Sequence, residues 1–148
     1  MSSAGSTVHQ PVRLVSVSGR PLEPGRFVTA VDHPQAGAHA VFCGVVRAQD
    51  AGREVVALEY VGYPGADEVL ARIAARFAAE PDVAAVAVGH RIGELVVGDV
   101  ALVAAVATAH RGAAFDACAR LVDEVKAQLP VWKRQVFADG TDEWVNCP

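Results

Sequence analysis

The 148-residue sequence is short of the features that usually announce an activity. It contains no GxGxxG, no GxxxxGK[ST], no HExxH and no GxSxG, which removes the commonest dinucleotide, nucleotide, zinc-protease and hydrolase signatures. Its three cysteines, Cys43, Cys118 and Cys147, stand far apart in no CxxC or Cys/His ligand spacing. That argues against a disulfide framework or a structural zinc, and predicts reduced thiols, no metal and no resident cofactor. Basic charge is not in excess: 13 Lys+Arg against 17 Asp+Glu leave −4, without the electrostatic footprint of a nucleic-acid binder. Strictly apolar runs such as Val100–Ala107 fall well short of the roughly 20 residues needed to cross a membrane. The opening MSSAGSTVHQ has neither the basic start nor the apolar stretch of a secretory signal, so residues 1–10 are expected to be a flexible N-terminus on a cytoplasmic protein. With 52% hydrophobic and 20% charged residues, the rest has the material for one packed domain, expected over residues 11–148.

What is present reads as strands alternating with two long helices. Val12, Leu14 and Val17 predict an edge strand over 11–18, and residues 23–31 a short helix stopped by Asp32-His33-Pro34. AHAVFCGVVR (38–47) reads as a buried strand and 53–60 as a second, with Asp50-Ala51-Gly52 between them making a hairpin the simplest connection. Ala66, Val69, Leu70, Ile73 and Phe77 recur at helical spacing between Pro64 and Glu80. Residues 83–89 and 100–108 read as central strands joined by a Gly93…Gly98 loop. Between Gly112 and Leu129, the positions Phe115, Cys118, Val122, Val125 and Leu129 predict one buried helical stripe, ended by Pro130. Short strands over 131–137 and 143–145 complete an α+β domain.

The cations carry the most chemical information. Eleven of the 13 are arginine, and the two lysines, Lys126 and Lys133, bracket Pro130 and Trp132. An ammonium can give up a proton or act as a nucleophile where a guanidinium cannot, so the pair is a candidate catalytic site. A plainer reading stays open, in which Lys126 complements the helix dipole and Lys133 is solvated. His110-Arg111 stands where a buried strand hands over to the second long helix, which suits an anion such as phosphate. It equally suits a histidine satisfied by a backbone carbonyl and an arginine paired with Asp116. Arg47 ends an apolar strand and either projects into the same site or faces solvent. His90-Arg91 reads as a structural strand end, and Cys43 and Cys118 as small core residues.

Five segments, in order and at compatible spacing, then carry a family resemblance: GAHAVFCGVVR (37–47), ALEYVGYPGADEVL (57–70), HRIGELVVGD (90–99), VATAHRGAAF (106–115) and VKAQLPVWKRQVFADGTDEW (125–144). Together they resemble the catalytic (large) subunit of molybdopterin synthase. The resemblance implies an α/β hammerhead-type fold with a mostly antiparallel sheet. It also implies a homodimer that binds a small ubiquitin-like sulfur-carrier subunit on each copy, giving a heterotetramer. The implied reaction moves sulfur from a thiocarboxylate on the carrier's C-terminal glycine to cyclic pyranopterin monophosphate, making the molybdopterin dithiolene. Lys126 and Lys133 match the family's active-site lysines, and Arg47, His110 and Arg111 match its anion- and pterin-binding residues. The chain departs from the pattern at Val61 and Gln135, where the family often carries Glu. Those departures favour the alternative of a non-catalytic dimeric module that binds a phosphorylated metabolite or a carrier tail. No Gly-Gly terminus is present, so the carrier is expected in trans.

Overall fold

Two strands buried on both faces organise the chain: β5 (Val83–Arg91) and β7 (Val100–Thr108). Side chains alternate along an extended strand, so Leu102, Ala104 and Val106 of β7 face one side while Val103, Ala105 and Ala107 face the other. All six are buried, and both faces therefore need a cover. The computed structural model, which describes residues 10–145, shows what supplies it. The first face packs against α2 (Ala66–Ala78) and α3 (Arg111–Gln128), and the second against Phe27 of α1 (Pro24–Ala30). The expected flexible N-terminus lies outside the described residues except for the exposed Gln10.

The α1 face is built from small residues, Ala85, Ala87, Ala105 and Ala107, which let the helix come close. At Gly89 the approach is closest, since a Cβ there would sit 2.6 Å from Cζ of Phe27. β1 (Val12–Ser18) adds to β5 in parallel, and β2 (Ala38–Val45) adds to β7 antiparallel, giving the order β1-β5-β7-β2. A second sheet runs β3 (Gln49–Asp50), β4 (Arg53–Gly62), β8 (Val131–Phe137), β9 (Asp142–Val145), with β6 (Gly93–Val96) also paired to β4. Every pair except β1 with β5 is antiparallel, in keeping with the α+β reading.

Helix α2 begins with Asp67 and Glu68 and ends with Arg76, each favourable to its dipole, and it buries Leu70, Ile73 and Phe77. It is tied to α3 by Arg120, whose guanidinium forks onto both carboxylate oxygens of Glu80 at 2.7 and 2.8 Å and also reaches Asp116. That bidentate bond holds the Glu80 carboxyl below the usual carboxylate range.

The structure corrects several expectations. Strand β2 is an edge strand with alternating burial, because among the described residues nothing covers the face that carries Val41, Cys43 and Val45, and Cys43 is exposed. The expected hairpin of β2 with β4 does not form: β2 pairs along its whole length with β7, and β4 belongs to the other sheet. The turn itself is real, but it joins β4 to the two-residue β3, with Ala51 and Gly52 both at positive φ as a tight two-residue connection requires. The Gly93…Gly98 segment contains β6, held by the edge of β4. Phe115 is 66% exposed. The buried stripe of α3 runs through Ala114, Cys118, Leu121, Val122 and Val125, and Phe115 lies about 100° round from Ala114.

Candidate functional site

Helix α3 ends at Gln128, and Pro130 prevents it from continuing, so the chain turns directly into β8. The Tyr63 N–H to Pro130 carbonyl bond, at 3.0 Å, clamps this turn to the end of β4. The consequence is that Lys126, in the last helical turn, and Lys133, on the strand, border one pocket of about 390 Å³. The C-terminal end of the α3 dipole favours an ammonium at Lys126. Alternation along β8 puts Lys133 and Gln135 on the same face as Val131 and Phe137, and the ladder sets Tyr60 opposite Lys133 and Leu58 opposite Gln135. Residues of both sheets line the pocket, which therefore lies along the seam between them.

Arg47, just past β2, borders the same pocket; its side chain is 79% exposed and its guanidinium lies 3.3 Å from Asp50 Oδ1. Among the described residues neither lysine forms an ion pair. The pocket thus presents two ammonium groups without a carboxylate partner, and a guanidinium shared with Asp50 at its edge. Such a site draws in an anion and stabilises charge that develops during a reaction.

One lining residue was not singled out for this site by its sequence position. His90, expected to be structural, is only 1% exposed yet borders the pocket. Its Nδ1 is 2.7 Å from the Arg91 carbonyl oxygen, and its ring meets that of Tyr60 edge-on. Burial pushes its pKa down to about 4, and the positive charge of Lys126 adds to the effect, while the bond to Arg91 opposes it. The sequence signal was present in the apolar strand leading into His90, which leaves the ring no exit to solvent. Cys43 also borders the pocket.

His110 and Arg111 are elsewhere. They begin α3, while Lys126 lies near its end, so Arg111 and Lys126 are separated by about 22 Å along the helix at 1.5 Å per residue. His110 borders a separate cleft of about 490 Å³ with His33 and Asp82. Asp116, an expected partner for Arg111, is engaged by Arg120, and Arg111 has no ion pair among the described residues. The first turn of α3 contains no acidic residue, so the Arg111 guanidinium and the helix N-terminus form a cationic end suited to an anion, with His110 at the N-cap. Within one copy of the chain, this end does not reach the lysine pocket.

Among the described residues no group of three His, Cys, Asp or Glu is placed to hold a metal ion, and no helix is long and apolar enough to cross a membrane.

Comparison with known proteins places these features in a family. The family model described as MoaE protein matches residues 17–128. The molybdopterin synthase catalytic subunit of Aspergillus niger is 34% identical over 131 residues, covering 88% of this chain and 73% of the relative. The Bacillus subtilis protein of the same name is 35% identical over 131 residues, covering 88% of this chain and 83% of its own. Among solved structures, molybdopterin synthase from Staphylococcus aureus superposes with a TM-score of 0.81 at 28% identity, covering 88% of this chain and 96% of that one.

Proposed function

Because the chain belongs to the MoaE protein family, we propose that its lysine pocket transfers sulfur from a carrier protein's C-terminal thiocarboxylate to cyclic pyranopterin monophosphate, forming the molybdopterin dithiolene. The observation that carries the assignment of the site is that the only two lysines in the sequence border one pocket. The carrier is a small ubiquitin-like subunit acting in trans in the cytoplasm, one on each copy of a homodimer. Its thiocarboxylate brings the sulfur, so no cysteine of this chain need act as a nucleophile.

Each residue then has a physical task. Lys126 and Lys133 neutralise the incoming thiocarboxylate and stabilise negative charge as sulfur attacks the pterin side chain. They also move protons as water cleaves the thioester linking carrier and pterin and supplies the oxygen of the released carrier carboxylate, two thiocarboxylates in turn furnishing the two sulfurs of the dithiolene. Arg47 meets the anionic substrate at the pocket's edge. His110 and Arg111 bind the substrate phosphate from the second copy, a reading supported by their unpartnered cationic helix end and its distance from the lysines of their own chain.

The test is a single-turnover reaction with cyclic pyranopterin monophosphate and thiocarboxylated carrier, following dithiolene and carboxylate carrier together. Both products are expected, and both should vanish in Lys126→Ala. A second reading is favoured by Gln135, a neutral amide buried in the pocket that supplies no carboxylate beside the lysines: binding of carrier and pterin without turnover. Tight carrier binding with no dithiolene would establish that reading.

A further inference from the structure

A buried polar side chain is nearly always hydrogen-bonded, and one that is not costs stability and calls for a reason. Gln135 is such a residue: it is 5% exposed and borders the lysine pocket. Its carboxamide makes no hydrogen bond among the described residues. Nor is it sealed in, since the fully enclosed polar side-chain atoms without a partner are those of Arg13, Arg91 and Trp132. The amide therefore opens on the pocket. Its neighbours there offer it nothing polar: Leu58, opposite it on β4, and Val55 are both buried and both line the same pocket. On the other side of the ladder it faces Glu143, whose carboxylate lies 3.8 Å from the Arg53 guanidinium. Lys133 stands two residues back on the same face of β8, about 7 Å along the strand.

A carboxamide carries two N–H donors and no charge, so it answers a carbonyl oxygen without cancelling the ammonium groups beside it. A carboxylate in its place would only accept, and would repel an anion. The group that meets Gln135 must also be slim, because the amide sits deep between aliphatic walls. A C-terminal glycine has no side chain, and its acyl oxygen lies next to the charged end of the tail. We propose that Gln135 is a binding and specificity residue for the carrier: its amide N–H donates to the acyl oxygen of the carrier's terminal glycine, while Lys126 and Lys133 meet the negative charge. This assignment rests on the sulfur-transfer reading and names the group that reads the tail's last carbonyl. It also explains the unmet amide as a cost in stability that bound ligand relieves, because a site built to hydrogen-bond its ligand is left unpaired without it.

The test is calorimetric binding at pH 7 of two carrier proteins, one with its complete C-terminal glycine as the carboxylate and one lacking that residue, with thermal melts run alongside. The full chain is compared with Gln135→Leu, which fills a similar volume without polar atoms, and Gln135→Glu, which keeps the shape and loses the donor. Wild type is expected to prefer the complete carrier. Both variants should lose about tenfold in affinity for the complete carrier and stay within about twofold for the truncated one. Free of its unmet amide, Gln135→Leu should melt about 2–4 °C higher than wild type. A purely structural amide would give the opposite pattern, a lower melt with the preference for the complete carrier intact, and that result overturns the proposal. So does a weakened affinity for cyclic pyranopterin monophosphate with carrier binding unchanged, since the amide would then read the pterin. A wild-type preference kept in both variants overturns the proposal alone, whereas no preference in the wild type overturns the carrier reading with it.

Discussion

Tyr60 lies opposite Lys133 in the antiparallel ladder of β4 and β8, and through its ring it also touches His90 on the other sheet. One tyrosine thus couples a pocket lysine to a buried histidine across the seam between the sheets. A pocket built on paired strands holds its groups more precisely than one built on loops. The lysine site inherits that rigidity from the strands that line it, β2, β4, β5, β7 and β8.

Replacing either lysine separates charge from proton transfer. Lys126→Ala and Lys133→Ala are each expected to lower single-turnover sulfur transfer by about a hundredfold or more while leaving carrier binding measurable. Lys126→Arg keeps the charge but cannot release a proton, so turnover should stay low. Wild-type turnover in that variant would end the proton-transfer role.

Mixing two inactive variants tests the shared site. A dimer that pairs a Lys126→Ala copy with an Arg111→Ala copy keeps one site with both groups intact if the site draws on both copies. Random subunit exchange should then restore about a quarter of wild-type activity, since half the dimers are mixed and each has one of two sites. Subunits exchanged to completion with no activity would place both groups in one copy.

The depressed pKa of His90 makes stability depend on pH with a definite sign. A histidine with an ordinary pKa near 6.5 takes up a proton in the unfolded chain before the buried ring does, so the unfolded state binds more protons between pH 6.5 and about 4. The contribution is complete above pH 6.5 and is lost as pH falls toward 4. It amounts to something on the order of 3 kcal/mol for a ring this buried. Urea denaturation at pH 7, 6, 5 and 4 should show that slope in wild type and a flatter one in His90→Gln.

Gly89→Ala is expected to destabilise the fold by about 1–3 kcal/mol, because the new methyl would occupy the place of the buried Phe27 ring. A melt unchanged from wild type would mean that α1 can shift off the sheet without cost.

Ala51 holds φ at 49° beside Gly52 at 78°, a conformation that costs an alanine but suits asparagine. Ala51→Asn should stabilise the protein by about 1 kcal/mol in chemical denaturation without altering turnover. A loss of stability would show that the turn is not strained.

The helices were legible from their own residues. Leu70, Ile73 and Phe77 mark the buried face of α2 by spacing alone, and Pro130 fixes the end of α3, because periodicity and proline act locally. Strand pairing was not. The run from Ala38 to Arg47 looks the same whether its partner is β4, the near neighbour, or β7, more than 50 residues later, and only competition between those ladders settles it. Burial followed pairing: Cys43 lies in an apolar run but on the open side of an edge strand, and Phe115 lies one step outside the face that α3 turns inward.

The site divides in the same way. The rarity of lysine and its placement on either side of Pro130 singled out Lys126 and Lys133 without any structure, because a helix–turn–strand connection is a short-range matter. The sequence likewise determined the α+β class, the two long helices and the family pattern in its five segments. Tertiary structure alone decided that Arg47 joins the lysines, that His90 borders the pocket beside them, and that His110 and Arg111 stand at the far end of α3. The physical reason is range. Helix caps, turns and periodic faces are set by residues a few positions apart, whereas a pocket at the seam of two sheets is set by which strands pair and how far a straight helix carries its two ends from one another.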